Sequence, residues 1–174
     1  LIDYKKSVSV VMITSDKVYN NLEWQWGYKE TDELGGKDPY SASKGMAELA
    51  IKSMVNSFFS MKDSGVRIGI ARAGNVIGGG DWAKDRIVPD TIRSASKEKS
   101  VGIRSLSSTR PWQHVLEPIS GYLLLGSELS NHAIDNGEAY NFGPNSDNNF
   151  SVKDLLCEMS KNWDKISWHE VESD

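Results

Sequence analysis

The chain has 174 residues, 39% of them hydrophobic, and carries 20 Lys+Arg against 24 Asp+Glu for a formal charge of −4. That is enough for one domain with a real core, and it presents no basic surface for nucleic acid or anionic membrane. A single cysteine, Cys157, excludes an internal disulfide framework and suits a reducing cytoplasm; no apolar run is long enough to span a bilayer, and neither a signal-peptide pattern nor a metal-ligand grouping is present.

Ser7 to Thr14 is rich in valine and isoleucine, as expected for a strand buried on both faces. A loop carrying Trp24, Trp26 and Tyr28 follows and ends in Gly35-Gly36-Lys37-Asp38-Pro39. From Pro39 to about Met61 the spacing predicts a helix, with Ala42, Met46, Leu49, Ala50, Met54 and Phe58 near one stripe. Asp38 before Pro39 makes a cap and first-turn pair. Val66 to Ala71 is a second strand, so the segment is a βαβ unit and the sheet is parallel.

Beyond Ala71 the stretch Arg72 to Arg86, RAGNVIGGGDWAKDR, is glycine-rich and polar. It predicts a long loop, the kind that carries function in compact domains. A helix is expected over Ile87 to about Lys97, a short strand over Val101 to Arg104, and a helix over Glu117 to about His132. Ala139 to Gly143, AYNFG, reads as a further strand, and Ser151 to Trp163 as an amphipathic helix capped by Ser151. The chain lacks an initiator methionine and stops just after a possible strand, which reads as an excerpt from a longer protein.

Two places hold residues suited to chemistry. The first strand gives way to Thr14-Ser15-Asp16-Lys17, a hydroxyl, a carboxylate and an amine in a row at a strand end. In a parallel sheet, ligands bind at the carboxyl ends of strands. Tyr40 and Lys44 stand four apart near the helix start, where such side chains are roughly 5–6 Å apart at Cβ. An ammonium beside a phenol stabilises the phenolate and makes the tyrosine a usable base near neutral pH.

A strand-end hydroxyl followed by Tyr-x-x-x-Lys resembles the short-chain dehydrogenase/reductase superfamily, in which Ser or Thr, Tyr and Lys work together on a nicotinamide cofactor. The Ser15–Tyr40 spacing resembles that of the extended branch, which acts on nucleotide sugars. Further segments are similar to that branch. RAGNVIGGGDW implies that Asn75 contacts the sugar nucleotide diphosphate, and DRIVPD makes Arg86 and Ile87 candidates against the nucleotide. TRPWQHVLEP implies that Arg110 binds the diphosphate, a task suited to its planar fork. The resemblance also implies contacts from Ala73 to the cofactor and from Ile103 to the substrate, with YNFGP as the strand that closes the substrate domain. Trp112 and His114 are expected to be structural.

Within the branch, Ser15-Asp16-Lys17 resembles the strand end of the nucleotide-sugar 4,6-dehydratases, and together with WGYKE, GGGDWAKDRIVPD and RPWQHVLEP it looks most like those acting on CDP-glucose. These enzymes use NAD to oxidise C4 of glucose, eliminate water across C5 and C6, and return the hydride to C6. The resemblance makes Asp16 the acid for the departing hydroxyl. Lys17 departs from the usual glutamate; it either removes the C5 proton or stays charged and stabilises the enolate or lowers the pKa of Asp16. The alternatives are an epimerase or reductase of the same branch, needing neither Asp16 nor Lys17, and a non-catalytic nucleotide-sensing protein.

The fold implied is α/β, the second half of a doubly wound parallel (Rossmann-type) sheet with a small α/β substrate-binding domain. Residues 1–75 would complete the NAD-binding domain and carry the catalytic groups. Residues 76–174 would be mainly the nucleotide-sugar region, with some segments returning to the sheet. The glycine fingerprint that cradles a dinucleotide pyrophosphate is absent, because IGGGDW follows the wrong strand and opens no helix directly. The fragment alone is therefore expected to be inactive. The family further implies a cytoplasmic homodimer, paired through the Tyr40-bearing helix and serving deoxysugar biosynthesis such as that of lipopolysaccharide O-antigen. Met54, Phe58 and Phe59 are candidates for that contact or for the core.

Overall fold

The computed structural model describes residues 1–4, 6–60, 64–145 and 148–172. Its elements are β1 (Val8–Ile13), a 3-10 turn (Asp16–Val18), α1 (Pro39–Met54) running into a π-type turn (Val55–Phe59), β2 (Val66–Ala73), β3 (Val76–Ile77) and α2 (Ile87–Ala95). There follow β4 (Val101–Ile103), β5 (Thr109–Arg110), β6 (Gln113–His114), α3 (Leu116–Ser130), β7 (Ala139–Phe142), β8 (Phe150–Ser151), α4 (Val152–Asn162) and β9 (Trp168–Glu170). Met61, the expected end of the first helix, lies outside the described residues.

The chain divides into two compact units, one made of Leu1–Gly74 and Val115–Gly143, the other of Asn75–His114 and Pro144–Asp174. In the first unit β1, β2 and β7 form a parallel sheet in the order β1-β2-β7. The pleat sends Val8, Val10 and Met12 of β1, with Val66 and Ile68 of β2, against Ile51, Val55 and Phe59 at the end of the first helix. Val11 and Ala71 point the other way and pack with Leu125 and Leu129 of α3. The sheet is therefore covered by a helix on each face, which is why its strands are mostly apolar instead of strictly alternating. Each fully buried leucine or isoleucine here contributes about 1.5–3 kcal/mol. The second unit has its own core of Val101, Ile103, Val152 and Leu156, flanked by Ile87, Leu106, Trp112 and Trp168. Its strand pairs are short, β3 with β6, β4 with β9 and β5 with β8.

Three expectations change. The stretch after Ala71 does not begin as a loop: Arg72 and Ala73 continue β2, paired with Asn141 and Phe142. The AYNFG strand is β7, which joins the sheet of the first unit instead of closing the second. On α1 the apolar stripe faces outward, with Met46, Leu49, Met54 and Phe58 exposed, while Ser41, Gly45 and Glu48 form the buried face. Small residues win the inner face because the helix lies close to backbone; a Cβ on Gly45 would already touch the carbonyl oxygen of Gly35 at 3.4 Å.

Candidate active site

Thr14 extends the β1 ladder, its N–H donating to the Ala71 carbonyl at 2.9 Å. Ser15 ends the strand in an extended conformation and caps the 3-10 turn, accepting from the Lys17 N–H at 3.2 Å. The Ser15 hydroxyl is buried and donates to Asp16 Oδ1 at 2.9 Å. Asp16 is half-buried and Lys17 exposed.

The first turn of α1 is held by Asp38, whose Oδ1 accepts from the N–H groups of Tyr40 and Ser41 at 3.0 Å each, while Oδ2 takes the Ser41 hydroxyl at 2.6 Å. These bonds, the Ser41 hydroxyl first, hold the Asp38 carboxyl below its ordinary pKa, and the Lys17 charge adds to the effect. Lys17 is thus within electrostatic reach of the turn that presents Tyr40. Tyr40 is 56% exposed, and Lys44 Nζ stands 5.8 Å from its ring centroid. The 3-10 turn packs against α1. Ser15, Asp16, Lys17, Tyr40 and Lys44 accordingly all belong to the first unit, at the carboxyl end of β1 and the start of the helix that follows.

Ala73 ends β2 in that unit, at the same edge of the sheet. The remaining residues lie in the second unit. Asn75 is half-buried and its carbonyl accepts from the Gln113 N–H at 3.1 Å. Arg86 caps α2 and is exposed, and Ile87 begins that helix against the core. Ile103 is a core residue of β4, and Arg110, half-buried in β5, donates to the carbonyl of Thr109 at 2.7 Å.

One group was not singled out by its sequence pattern. Beneath the strand ends lies a fully buried ion pair, Glu48 of α1 with Arg72 of β2. Arg72 Nε donates to Oε1 at 2.8 Å and Oε2 at 3.1 Å, and its Nη2 also donates to Oε2. Thr14 Oγ1 donates to Glu48 Oε1 at 2.7 Å. The other Arg72 nitrogen, Nη1, reaches Tyr19 Oη at 2.7 Å and the Glu30 carbonyl at 3.1 Å. Tyr19 donates to Asn141 Oδ1 at 2.6 Å, and its ring stacks on Tyr28. Burial works against the guanidinium charge, but the bonds from Glu48 and Tyr19 outweigh it and leave Arg72 above its ordinary pKa. Burial raises the Tyr19 phenol in turn, against the pull of Arg72. Two sequence signals could have found this pair: an arginine near the end of a mostly apolar strand, and a glutamate one turn past Lys44.

A sequence model described as the NAD dependent epimerase/dehydratase family matches residues 2–143. The chain belongs to this family. It is 49% identical, over 92% of its length and 46% of the relative's, to CDP-glucose 4,6-dehydratase of Salmonella typhimurium. The chain thus spans about half the length of the curated relatives it matches. Its fold is similar to that of a dTDP-glucose 4,6-dehydratase from Bacillus anthracis solved with NAD, with a TM-score of 0.75 and 20% identity over 95% of this chain and 50% of the other. It is also similar to a UDP-N-acetylglucosamine 4-epimerase from Methanobrevibacter ruminantium, with a TM-score of 0.77 and 20% identity over 95% and 50%. For this epimerase/dehydratase family member, those two likenesses establish the α/β Rossmann-like architecture.

Proposed function

We propose that this chain is part of an NAD-dependent 4,6-dehydratase acting on a nucleotide-diphosphate glucose, CDP-glucose foremost. The observation that carries the reading is the Ser15-Asp16-Lys17 strand end, whose 3-10 turn packs against α1, the helix that presents Tyr40 and Lys44. Its likeness to the Salmonella enzyme supports the choice of substrate.

The residues present fit one end of a dinucleotide. Tyr40 and Lys44 offer a hydroxyl and an ammonium suited to the nicotinamide side. The glycine-rich loop does not fit the other end: Gly79 and Gly80 have open space around them, and α2 begins only at Ile87. The pyrophosphate grip would come from an amino-terminal half. A groove suited to receiving such a half runs along the outer edge of β1, lined by Val8, Val11, Ile119, Tyr122 and Leu123. Without that half the chain would not turn over.

When bound, NAD would supply the hydride acceptor for C4 and the hydride donor for C6. The protein does the proton work. Tyr40, with Lys44 Nζ 5.8 Å from its ring centroid, takes the C4 hydroxyl proton, and Ser15 orients that hydroxyl. Asp16 gives a proton to the hydroxyl leaving C6. Lys17 either removes the C5 proton, made acidic by the C4 ketone, and gives it back to C5 as C6 is reduced, or holds its charge near the developing enolate. Asn75, Arg86, Ile87, Ile103 and Arg110 would line the nucleotide-sugar site, the arginine fork of Arg110 on the diphosphate. We place the enzyme in the cytoplasm, in deoxysugar biosynthesis, as a homodimer that covers the apolar outer face of α1.

The test is to incubate the full-length protein with NAD and a panel of nucleotide-diphosphate glucoses, reading products by mass. Loss of one water from CDP-glucose alone is expected. An unchanged mass with altered sugar stereochemistry would replace the dehydratase by an epimerase.

A further inference from the structure

We infer that Glu48 is a positioning residue for the reaction, acting through Arg72 and Thr14 to fix the rotation of α1 against the strand ends. The inference rests on the site proposed above.

Tyr40, Lys44 and Glu48 follow one another at intervals of four along one side of the helix, and the line dives into the protein. Tyr40 is exposed, Lys44 half-buried and Glu48 fully buried. Glu48 is therefore the inner anchor of the stripe whose outer end is the proposed base. Its carboxylate meets the guanidinium through both oxygens and takes a further bond from Thr14, the residue immediately before Ser15. One carboxylate thus ties the helix carrying Tyr40 and Lys44 both to the strand carrying Ser15 and to the neighbouring strand β2.

Stability gives little reason to keep such a pair. Two charges removed from water lose much of what their attraction returns, and apolar pairs of similar size often hold a fold equally well. What apolar contacts do not supply is direction. A bidentate carboxylate–guanidinium contact fixes distance and plane together. Direction matters here because a side-chain tip lies about 5–6 Å from the helix axis, so a rotation of about 10° carries it about 1 Å. A misplacement of about 1 Å can cost about 100-fold in rate. In the turns that carry Tyr40 and Lys44 themselves, the inner residues Ser41 and Gly45 are small and offer little grip against the slip.

The experiment uses the full-length protein and compares kcat, KM for the nucleotide sugar and thermal midpoint in three variants. Thr14→Val removes one hydroxyl and leaves the ion pair; kcat should fall about tenfold with KM within about twofold, and Thr14→Ser should restore it. Glu48→Met with Arg72→Met replaces the pair by apolar side chains; the protein should fold with a midpoint near that of the wild type and lose about 100-fold in kcat at unchanged KM. A purely structural pair would move the midpoint and leave kcat of the folded molecules alone. If either folded variant keeps kcat within about twofold of wild type, the positioning role is overturned. Should the double variant not fold, Thr14→Val decides alone. A wild-type protein that turns over no nucleotide sugar would instead sink the reading of the site, and the positioning role with it.

Discussion

Lys44 Nζ stands 5.8 Å from the centroid of the Tyr40 ring, one turn further along α1. Tyr40 is exposed and Lys44 half-buried, and the turns that carry them are held by other groups. The backbone that presents them is fixed by Asp38 below and Glu48 above.

It follows that the pair can be altered without unfolding the protein. Tyr40→Phe and Lys44→Met should each lower kcat by about 10²–10⁴-fold, the usual range for a lost general base or its activator. Thermal midpoints should stay close to wild type, because surface substitutions are usually within about 0.5 kcal/mol. Steady-state kinetics and a melting curve check both halves. Full activity in Tyr40→Phe would remove it from the mechanism.

Asp16 separates the two enzyme readings. Its carboxylate accepts the Ser15 hydroxyl, an arrangement that Asn can keep through its carbonyl oxygen. Asp16→Asn therefore preserves the geometry and removes the acid. A dehydratase should then oxidise C4 and stall before water leaves, so that reduced cofactor accumulates in a single turnover. An epimerase should continue at nearly its normal rate. Stopped-flow absorbance of the reduced cofactor distinguishes the outcomes.

Much of this arrangement was legible in the sequence because it is local. The valine-rich run gave β1, Asp38-Pro39 gave the start of α1, and four-residue spacing gave the Tyr40–Lys44 pair. Ser151 also caps its helix as expected, in a reciprocal box with Asp154. What was not legible depends on partners distant in the chain. The apolar stripe of α1 suggested an inner face, yet the inner face belongs to Ser41, Gly45 and Glu48: close backbone at Val18 and Gly35 leaves little room at Gly45, and Glu48 is held by an ion pair. Glu48 itself is buried only because Arg72, 24 residues on, meets it there. Similarly, the pairing of β7 with β2 leaves no trace in the four residues of β7 itself.

The Asp38 cap predicts an acid response at the head of α1. Its carboxyl is held below the ordinary value by the Ser41 hydroxyl and by backbone N–H groups. The folded state thus prefers the ionised form, and the stabilisation is complete above the unfolded pKa of about 3.9 and lost as pH falls through the lower folded value. Protection of the Tyr40 and Ser41 amides, measured against their intrinsic exchange rates, should therefore fall in that acid window. In Asp38→Ala exchange should be fast already at neutral pH and show no step. A step that survives the substitution would assign the acid response to another group.

The outward stripe of α1 makes the last prediction. Met46, Leu49 and Phe58 are each more than half exposed, with Met54 beside them, and the neighbouring positions of the same helix supply little charge to break the patch. Contiguous apolar surface of this kind marks an interface more often than a free surface. A two-fold pairing would set the same helix from each copy face to face, so one substitution enters the interface twice. Leu49, 60% exposed, is near the middle of the stripe. Leu49→Glu should place two carboxylates against each other there while leaving the fold of each copy intact, since the side chain serves no internal core. Sedimentation should show dimer for the wild type and monomer for the variant, with the far-ultraviolet spectrum unchanged. A variant that remains dimeric would move the interface off α1, and the exposed stripe would need a different occupant.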